Sequence, residues 1–298
     1  MARKRSGRPI HGWLVIDKPT GMTSARVVAE VLRITGAAKA GHGGTLDPMA
    51  TGVLPVALGE ATKTVAYVVG SSKTYRFTVC WGAARDTDDA DGEVISTSDV
   101  RPSEDAIRAV LPEFTGAIEQ VPPIYAAIKV KGKRAYVLAR EGKPVALAPR
   151  EVFIERLELI EAADPDHAVF EMRCGKGTYV RAFARDVAER LGTVGHLAAL
   201  RRTEVGRYRD CDAISLDNLT ALVHSGELPE HVRPVETALA DIPALAVTES
   251  QAARLKSGQA VHVHRSGQRL VRVAVGGRLV ALAELSGGMA HPVRVFNV

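Results

Sequence analysis

The sequence predicts an α+β fold with a mixed or antiparallel central sheet, followed by a small, mostly β module at the C-terminus. Stretches such as Tyr75-Arg76-Phe77-Thr78-Val79-Cys80-Trp81 alternate apolar and polar side chains and mark half-buried strands. Helical periods are interspersed among them without the regular strand–helix alternation of a parallel sheet. Gly226, Pro229, Pro234 and Pro243 then interrupt periodicity and mark a boundary between residues 225 and 245. The strand-like runs beyond it form a unit of roughly 55 residues, near the lower size limit for independent folding.

Taken in order, His11 to Ile16 reads as a short strand that ends at the turn Asp17-Lys18-Pro19-Thr20-Gly21. Thr23 or Ser24 caps a helix carrying Val27, Val28, Val31 and Leu32 on one face. A glycine-rich loop follows, then a shorter helix from Ala61 to Val69. After the Tyr75–Trp81 strand, Val94-Ile95 resumes a strand beyond an acidic loop, and Ser103 starts a helix through Ile107, Val110 and Leu111. Ile124 to Val130, Val152 to Leu159 and Val169 to Cys174 read as strands. Thr178 to Leu191 reads as a helix ended by Gly192. In the last unit, Thr248-Glu249-Ser250-Gln251 is a capping box opening a short helix. Val261 to Val263, Leu270 to Val275 and Leu279 to Leu285 are small strands, with a hairpin turn at Gly276-Gly277.

The 46% hydrophobic content suits a globular core, and the 298 residues allow one large domain or two ordinary ones. Net charge is +5, from 39 basic and 34 acidic residues. The basic residues cluster, in an arm over residues 1–10 (Arg3, Lys4, Arg5, Arg8), at Lys131/Lys133/Arg134 and at Arg201/Arg202, a distribution that suits a folded polyanion better than a membrane plane. The arm reads equally as a flexible, nucleic-acid-touching segment and as a disordered tail without function. Cys80, Cys174 and Cys211 are odd in number and far apart, with no CxxC or Cys/His zinc spacing, so neither a disulfide framework nor a metal site is expected. No cofactor is called for. The apolar run Trp13–Ile16 is too short for a signal sequence and nothing has membrane-spanning length, so a cytoplasmic protein is expected.

Gly41-His42-Gly43-Gly44-Thr45-Leu46-Asp47-Pro48-Met49-Ala50-Thr51-Gly52 is the segment that points to chemistry. Glycines permit close backbone approach, and Pro48 biases Asp47 toward an extended backbone. Such a loop either presents Asp47 as a nucleophile or general base, or is a plain turn whose aspartate caps an amide. A reactive carboxylate needs a cationic partner. By residue type the best candidate is Arg181, which follows the glycine turn Gly175-Lys176-Gly177; read alone it is equally a surface arginine in a helix's first turn. Gly59-Glu60-Ala61-Thr62-Lys63-Thr64 lacks P-loop spacing. The acidic run Asp86 to Glu93 lacks the full EF-hand pattern and is read as a solvated turn rather than a cation site.

The Gly41–Gly52 segment resembles the catalytic motif of the TruB-type tRNA pseudouridine synthases. Further blocks resemble that family in the same order: Asp17-Lys18-Pro19-Thr20-Gly21-Met22-Thr23-Ser24, Gly59 to Lys63, Val121-Pro122-Pro123 through Gly142, Gly175 to Arg181, and Gly195 to Arg202. Together they cover residues 11 to about 210. The resemblance implies a pseudouridine synthase catalytic domain over residues 11–235, with an RNA-gripping insertion at 131–145, and a PUA-like RNA-binding module at 244–298. It implies isomerisation of the T-loop uridine of tRNA by base flipping, with assistance of tRNA folding as an accompanying role, by a monomer. Asp47 would be the nucleophile and Arg181 its salt-bridge partner. Tyr75 would pack on the base, Tyr179 and Leu200 would line its pocket, and His42 would fill the vacated stack. Lys18 would support the site and Asp89 would sit in a loop touching flipped nucleotides. Ala126 and Arg85 depart from the usual serine and threonine, and the C-terminal module matches least. Two other readings stand beside this one. A non-catalytic RNA-binding or folding-assistant protein would not need Asp47, and an Asp/His hydrolase built on His42 and Asp47 would need further groups that are not visible.

Overall fold

The structure, a computed structural model, describes residues 7–126, 128–130, 132–142, 145–264 and 269–298. Arg3, Lys4 and Arg5 of the basic arm, and Lys131, lie outside the described residues. A large mixed sheet forms the centre of the molecule. Its main path uses β1 (Gly12–Lys18), β2 (Thr51–Leu58), β3 (Lys73–Trp81), β4 (Gly116–Gln120), β5 (Arg150–Asp164), β6 (His167–Cys174) and β7 (Gly195–Val205), in the spatial order β1-β2-β7-β3-β6-β5-β4. Every neighbouring pair is antiparallel except β2 and β7, which run parallel through Thr51↔Arg201 and Gly52↔Arg202. The sheet is therefore mixed, as the absence of strand–helix alternation predicts.

Local chemistry explains the helices. Thr23 caps the Ser24–Thr35 helix by accepting from the Arg26 amide, and Gly36 ends it in the left-handed region at φ 66°. That helix turns Val27 and Val31 inward, where they are fully buried. The Val180–Arg190 helix lays Phe183, Ala184, Val187 and Ala188 on the sheet. Phe183 meets Phe77 and Phe170 edge-on at 5.6 and 5.7 Å, which fixes the helix over β3 and β6. Its first turn is thereby held at the β6 end from which the glycine turn emerges.

Several strands are not marked by the sequence reading, among them Gly116–Gln120 and Met289–Val295. Thr51–Leu58 carries Pro55 and follows the glycines, so it reads as loop; Gly195–Val205 carries the charged pair Arg201-Arg202 and reads as a basic cluster. The reading of Ile124 to Val130 as one strand is corrected: among the described residues of that span only Lys129–Val130 is strand, and Ile124-Tyr125 is a turn whose Tyr125 carbonyl accepts from Arg181. In the 131–145 segment a short helix spans Ala135–Arg140.

The C-terminal residues form a second, five-stranded sheet: β8 (Ala244–Ala246), β9 (Val261–His262), β10 (Arg269–Val275), β11 (Arg278–Ser286) and β12 (Met289–Val295), in the order β8-β10-β11-β12-β9. The Thr248–Gln251 capping box forms as read, at the start of the Glu249–Lys256 helix. This sheet does not hang free. Phe296, fully buried, joins Leu279 and Leu282 to Trp13, Val53, Ala57 and Ala61 of the larger unit in one apolar cluster. Lys63 donates to the Val295 carbonyl at 2.8 Å, and the Asn297 amide donates to Glu60 at 2.8 Å. The proline-broken stretch around residue 233 is likewise docked, exchanging hydrogen bonds of 2.8 Å between Trp13 and Arg233. Replacing Phe296 by Ala should lower unfolding free energy by about 3–5 kcal/mol and loosen the C-terminal sheet first, which denaturant unfolding with hydrogen exchange would show.

Candidate active site

The Gly43–Ala50 loop is anchored from below by buried polar groups. Lys18, fully buried at the end of β1, donates from Nζ to the carbonyls of Pro19 (2.8 Å), Pro48 (3.1 Å) and Ala50 (2.6 Å). Arg202, 1% exposed, donates to Val53, Thr45 and Gly44 carbonyls at 2.8, 3.3 and 3.0 Å. Ser24 accepts from the Leu46 amide at 2.8 Å and donates to the Leu46 carbonyl at 3.1 Å. The backbone on both sides of Asp47 is thus fixed before any substrate arrives. Gly52 lets β2 meet β7: it lies at φ 97°, and a Cβ there would sit 2.2 Å from the Arg202 carbonyl oxygen.

Above this platform, Asp47 meets Arg181. Nε of Arg181 lies 2.9 Å from Oδ2 of Asp47 and 3.5 Å from Oδ2 of Asp89. The Asp47 contact is a charge contact rather than an aligned hydrogen bond, since Nε has no partner of hydrogen-bond geometry. The terminal nitrogens donate instead to the carbonyls of Thr87 (3.0 Å) and Tyr125 (3.2 Å). Arg181 is only 5% exposed, while 35% of the Asp47 side chain is open, so the carboxylate can reach a ligand and the guanidinium cannot leave.

Two cavities share Asp47 and Arg181 as a common wall. One, of about 270 Å3, is also lined by Tyr75, Tyr179, Leu200 and Lys73. The other, of about 540 Å3, is also lined by His42, Asp89, Tyr125 and Ser24. Of the residues singled out in the sequence, Asp47, Arg181, Tyr75, Tyr179 and Leu200 therefore meet in the first cavity. His42 and Asp89 line the second, and Lys18 lies beneath the loop.

Burial shapes the electrostatics. Desolvation, then the nearby Arg202, lowers His42, so its imidazole is neutral at pH 7. Desolvation raises the phenols of Tyr75 and Tyr179, which stay protonated. Lys18 is pulled down to about 8 by burial despite the opposing Asp47 charge. The acidic loop is structural: Asp89 accepts from Thr87 Oγ1 at 2.6 Å and the Asp91 amide at 3.1 Å. Asp88, at φ 60°, pairs with Arg185 at 3.0 Å. Among the described residues no group of three or more His, Cys, Asp or Glu side chains is placed to hold a metal ion.

Sequence reasoning missed three contributors. Gln120, 2% exposed, clasps the Tyr179 backbone in both directions at 2.8 and 3.1 Å. The sequence marks Ser24 as a helix cap and as the end of the Asp17–Ser24 block, but not as the clasp on Leu46. The sequence places Arg202 with Arg201 in a polyanion-facing pair, which the structure corrects: Arg202 is buried under the loop, and Arg201 pairs with Asp17 and Asp210. Nothing local marks Gln120, because its partner is distant in sequence.

A half-open carboxylate, backed by a buried arginine and walled by aromatic rings, defines an enzyme site rather than a bare binding surface. The family description "TruB family pseudouridylate synthase (N terminal domain)" matches residues 32–180, and "tRNA pseudouridylate synthase B C-terminal domain" matches residues 181–240. Over 304 residues the chain is 56% identical to the tRNA pseudouridine synthase B of Bradyrhizobium diazoefficiens, covering 99% of this chain and 88% of that relative. It is 51% identical over 308 residues to that of Rhodospirillum rubrum, covering 100% of both. A chain of an archaeal box H/ACA small ribonucleoprotein superposes with TM-score 0.73 at 25% identity, over 100% of this chain and 93% of that one. A chain from an H/ACA ribonucleoprotein bound to a substrate RNA containing 2′-deoxyuridine gives 0.74 at 25% identity, over 100% and 92%. The chain belongs to the TruB family of pseudouridylate synthases.

Gly52→Ala should destabilise the fold by about 2 kcal/mol and disturb the β2–β7 pairing, measurable by urea unfolding. Lys18 yields a pH prediction. Between about pH 8 and its ordinary value of 10.5, the unfolded chain keeps a proton that folded Lys18 has released, so stability rises with pH. Relative to Lys18→Met, the wild-type protein should gain on the order of 2 kcal/mol from pH 8 to about pH 10, read from paired unfolding curves.

Proposed function

We propose that this enzyme converts the T-loop uridine of tRNA, at position 55, to pseudouridine without a cofactor, in the cytoplasm and as a monomer. The observation that carries this reading is the position of Asp47 and Arg181 on the wall between the two cavities. A uridine cannot be rearranged inside a stacked loop; it must be extruded into a pocket, and the gap behind it filled. The cavity lined by Tyr75, Tyr179 and Leu200 receives the flipped base, and stacking on an aromatic face contributes about 1–3 kcal/mol. The neutral, half-buried His42 in the neighbouring cavity fills the vacated stack, and the Asp89 loop touches the displaced nucleotides.

Asp47 carries the covalent or proton-transfer step from the one-third of its side chain that is open. Arg181 orients it. The C1′–N1 bond breaks, the base rotates in the pocket, and a C1′–C5 bond forms. Residues 11–235 form the catalytic unit in this reading, with 131–145 gripping RNA and 244–298 adding an RNA-binding surface; assistance of tRNA folding accompanies catalysis. The basic arm and the exposed Lys176 at the cavity mouth supply charge for phosphates.

Asp47→Asn should reduce tritium release from a tRNA transcript labelled at uridine C5 by roughly a thousandfold or more, while transcript binding persists. Normal turnover by this variant would end the proposal. Arg181→Lys keeps the charge but loses the fixed fork to Asp47, Thr87 and Tyr125. It should lower kcat by about tenfold or more with little change in transcript Kd, measured by filter binding.

A further inference from the structure

The floor of the Tyr75 cavity carries positive charge that the roles above leave unused. Among its described lining residues, Lys73, Lys176, Arg181 and Arg202 are cationic and Asp47 alone is acidic. Arg181 answers Asp47. Lys73 and Arg202 make no ion pair among the described residues, although both are buried, at 7% and 1% exposure. Arg202 spends its donors on loop carbonyls.

Lys73 differs. It opens β3 two residues before Tyr75, so the two side chains project to the same face of the sheet. Its Nζ donates to the Val69 carbonyl at 2.6 Å and to the Ser71 carbonyl at 2.5 Å. An ammonium has three donors, and the third finds no acceptor among the described residues while the side chain lines the cavity. An apolar residue would close this floor with less desolvation. The two carbonyls fix the ammonium in place, so it need not reorganise when charge develops beside it.

On the pseudouridine synthase reading, on which this rests, we infer that Lys73 is a further catalytic residue. Its third N–H donates to a carbonyl oxygen of the flipped uracil and stabilises the charge that the ring acquires as the C1′–N1 bond breaks. Whether Asp47 attacks the sugar or removes a sugar proton, the electron pair of that bond stays with the base. The detached ring is then a uracil anion, its charge shared between N1 and the carbonyl oxygens. C5 supplies the pair for the new bond to C1′ as the Asp47 carboxylate leaves C1′ on the first route, or returns the sugar proton on the second; the C5 proton leaves and N1 takes up a proton, so no oxidant or reductant enters. Aspartate chemistry alone gives this anion no partner. Burial and the neighbouring Arg202 bring the Lys73 ammonium down to about 8, which makes it a strong donor near neutral pH.

The alternative role for Lys73 is a cap on the last turn of the Val65–Gly70 helix. The experiment separates the two with the full chain and a C5-tritiated tRNA transcript. Lys73→Met should lower kcat by about a hundredfold with transcript Kd changed by less than about threefold, and Lys73→Arg should recover most of the loss. A Lys73→Met enzyme with kcat within about threefold of wild type would overturn the inference, as would a loss confined to Kd. If Lys73→Met does not fold, Lys73→Gln carries the same test; failure of both to fold makes Lys73 a structural cap and equally overturns it. Wild-type protein run in parallel keeps the two claims apart, because absence of its tritium release would sink the proposed function itself.

Discussion

Arg181 is a charge buried in the interior, and such a charge is tolerated only where opposite charge and carbonyl dipoles surround it. Its four partners come from three places in the chain: Asp47 in the glycine loop, Asp89 and the Thr87 carbonyl in the acidic loop, and the Tyr125 carbonyl after the paired prolines. The guanidinium ties these segments together, beside the Tyr125 hydroxyl that donates to Asp86, and both cavities share it as a wall. The site and the loops around it are one electrostatic unit.

That unit works only if its base is rigid. The aromatic group Phe77, Phe170 and Phe183 fixes the helix that carries Arg181, and the sheet register sets Arg202 directly opposite Tyr75. Lys18 and Arg202 have their charge met by backbone carbonyls, not carboxylates, so they hold the Asp47 loop without neutralising Asp47. Cations below and one cation beside a single open carboxylate give a pocket with excess positive potential. That suits a reaction in which the base leaves with an electron pair.

Much of this was legible in the sequence where the chemistry is local. The Thr23 cap, the Thr248–Gln251 capping box, the alternation of β3 and the Gly276-Gly277 hairpin each depend on residues a few positions apart, and each formed as read. Elements whose reason is distant were not legible. Thr51–Leu58 becomes a strand because β1 and β7 flank it, overriding Pro55 and the neighbouring glycines. Arg202 turns inward because Gly44 and Thr45 offer carbonyls more than 150 positions away. Residue type made Asp47 and Arg181 candidates for one another, but only the fold brings them to 2.9 Å.

The Gly59–Thr64 segment shows how a local reading can miss what residues do. It lacks phosphate-loop spacing, and in the fold it holds another part of the chain. Lys63 and Glu60 pair with each other at 2.6 Å, and each also holds the backbone at Val295 or Asn297. With Lys63 lying 5.9 Å from the Phe296 ring centre, the segment is a dock for the C-terminal sheet. The dock adjoins β2, whose other end starts at the Asp47 loop. A buried apolar cluster and one strand thus join the C-terminal sheet to the loop that carries the carboxylate.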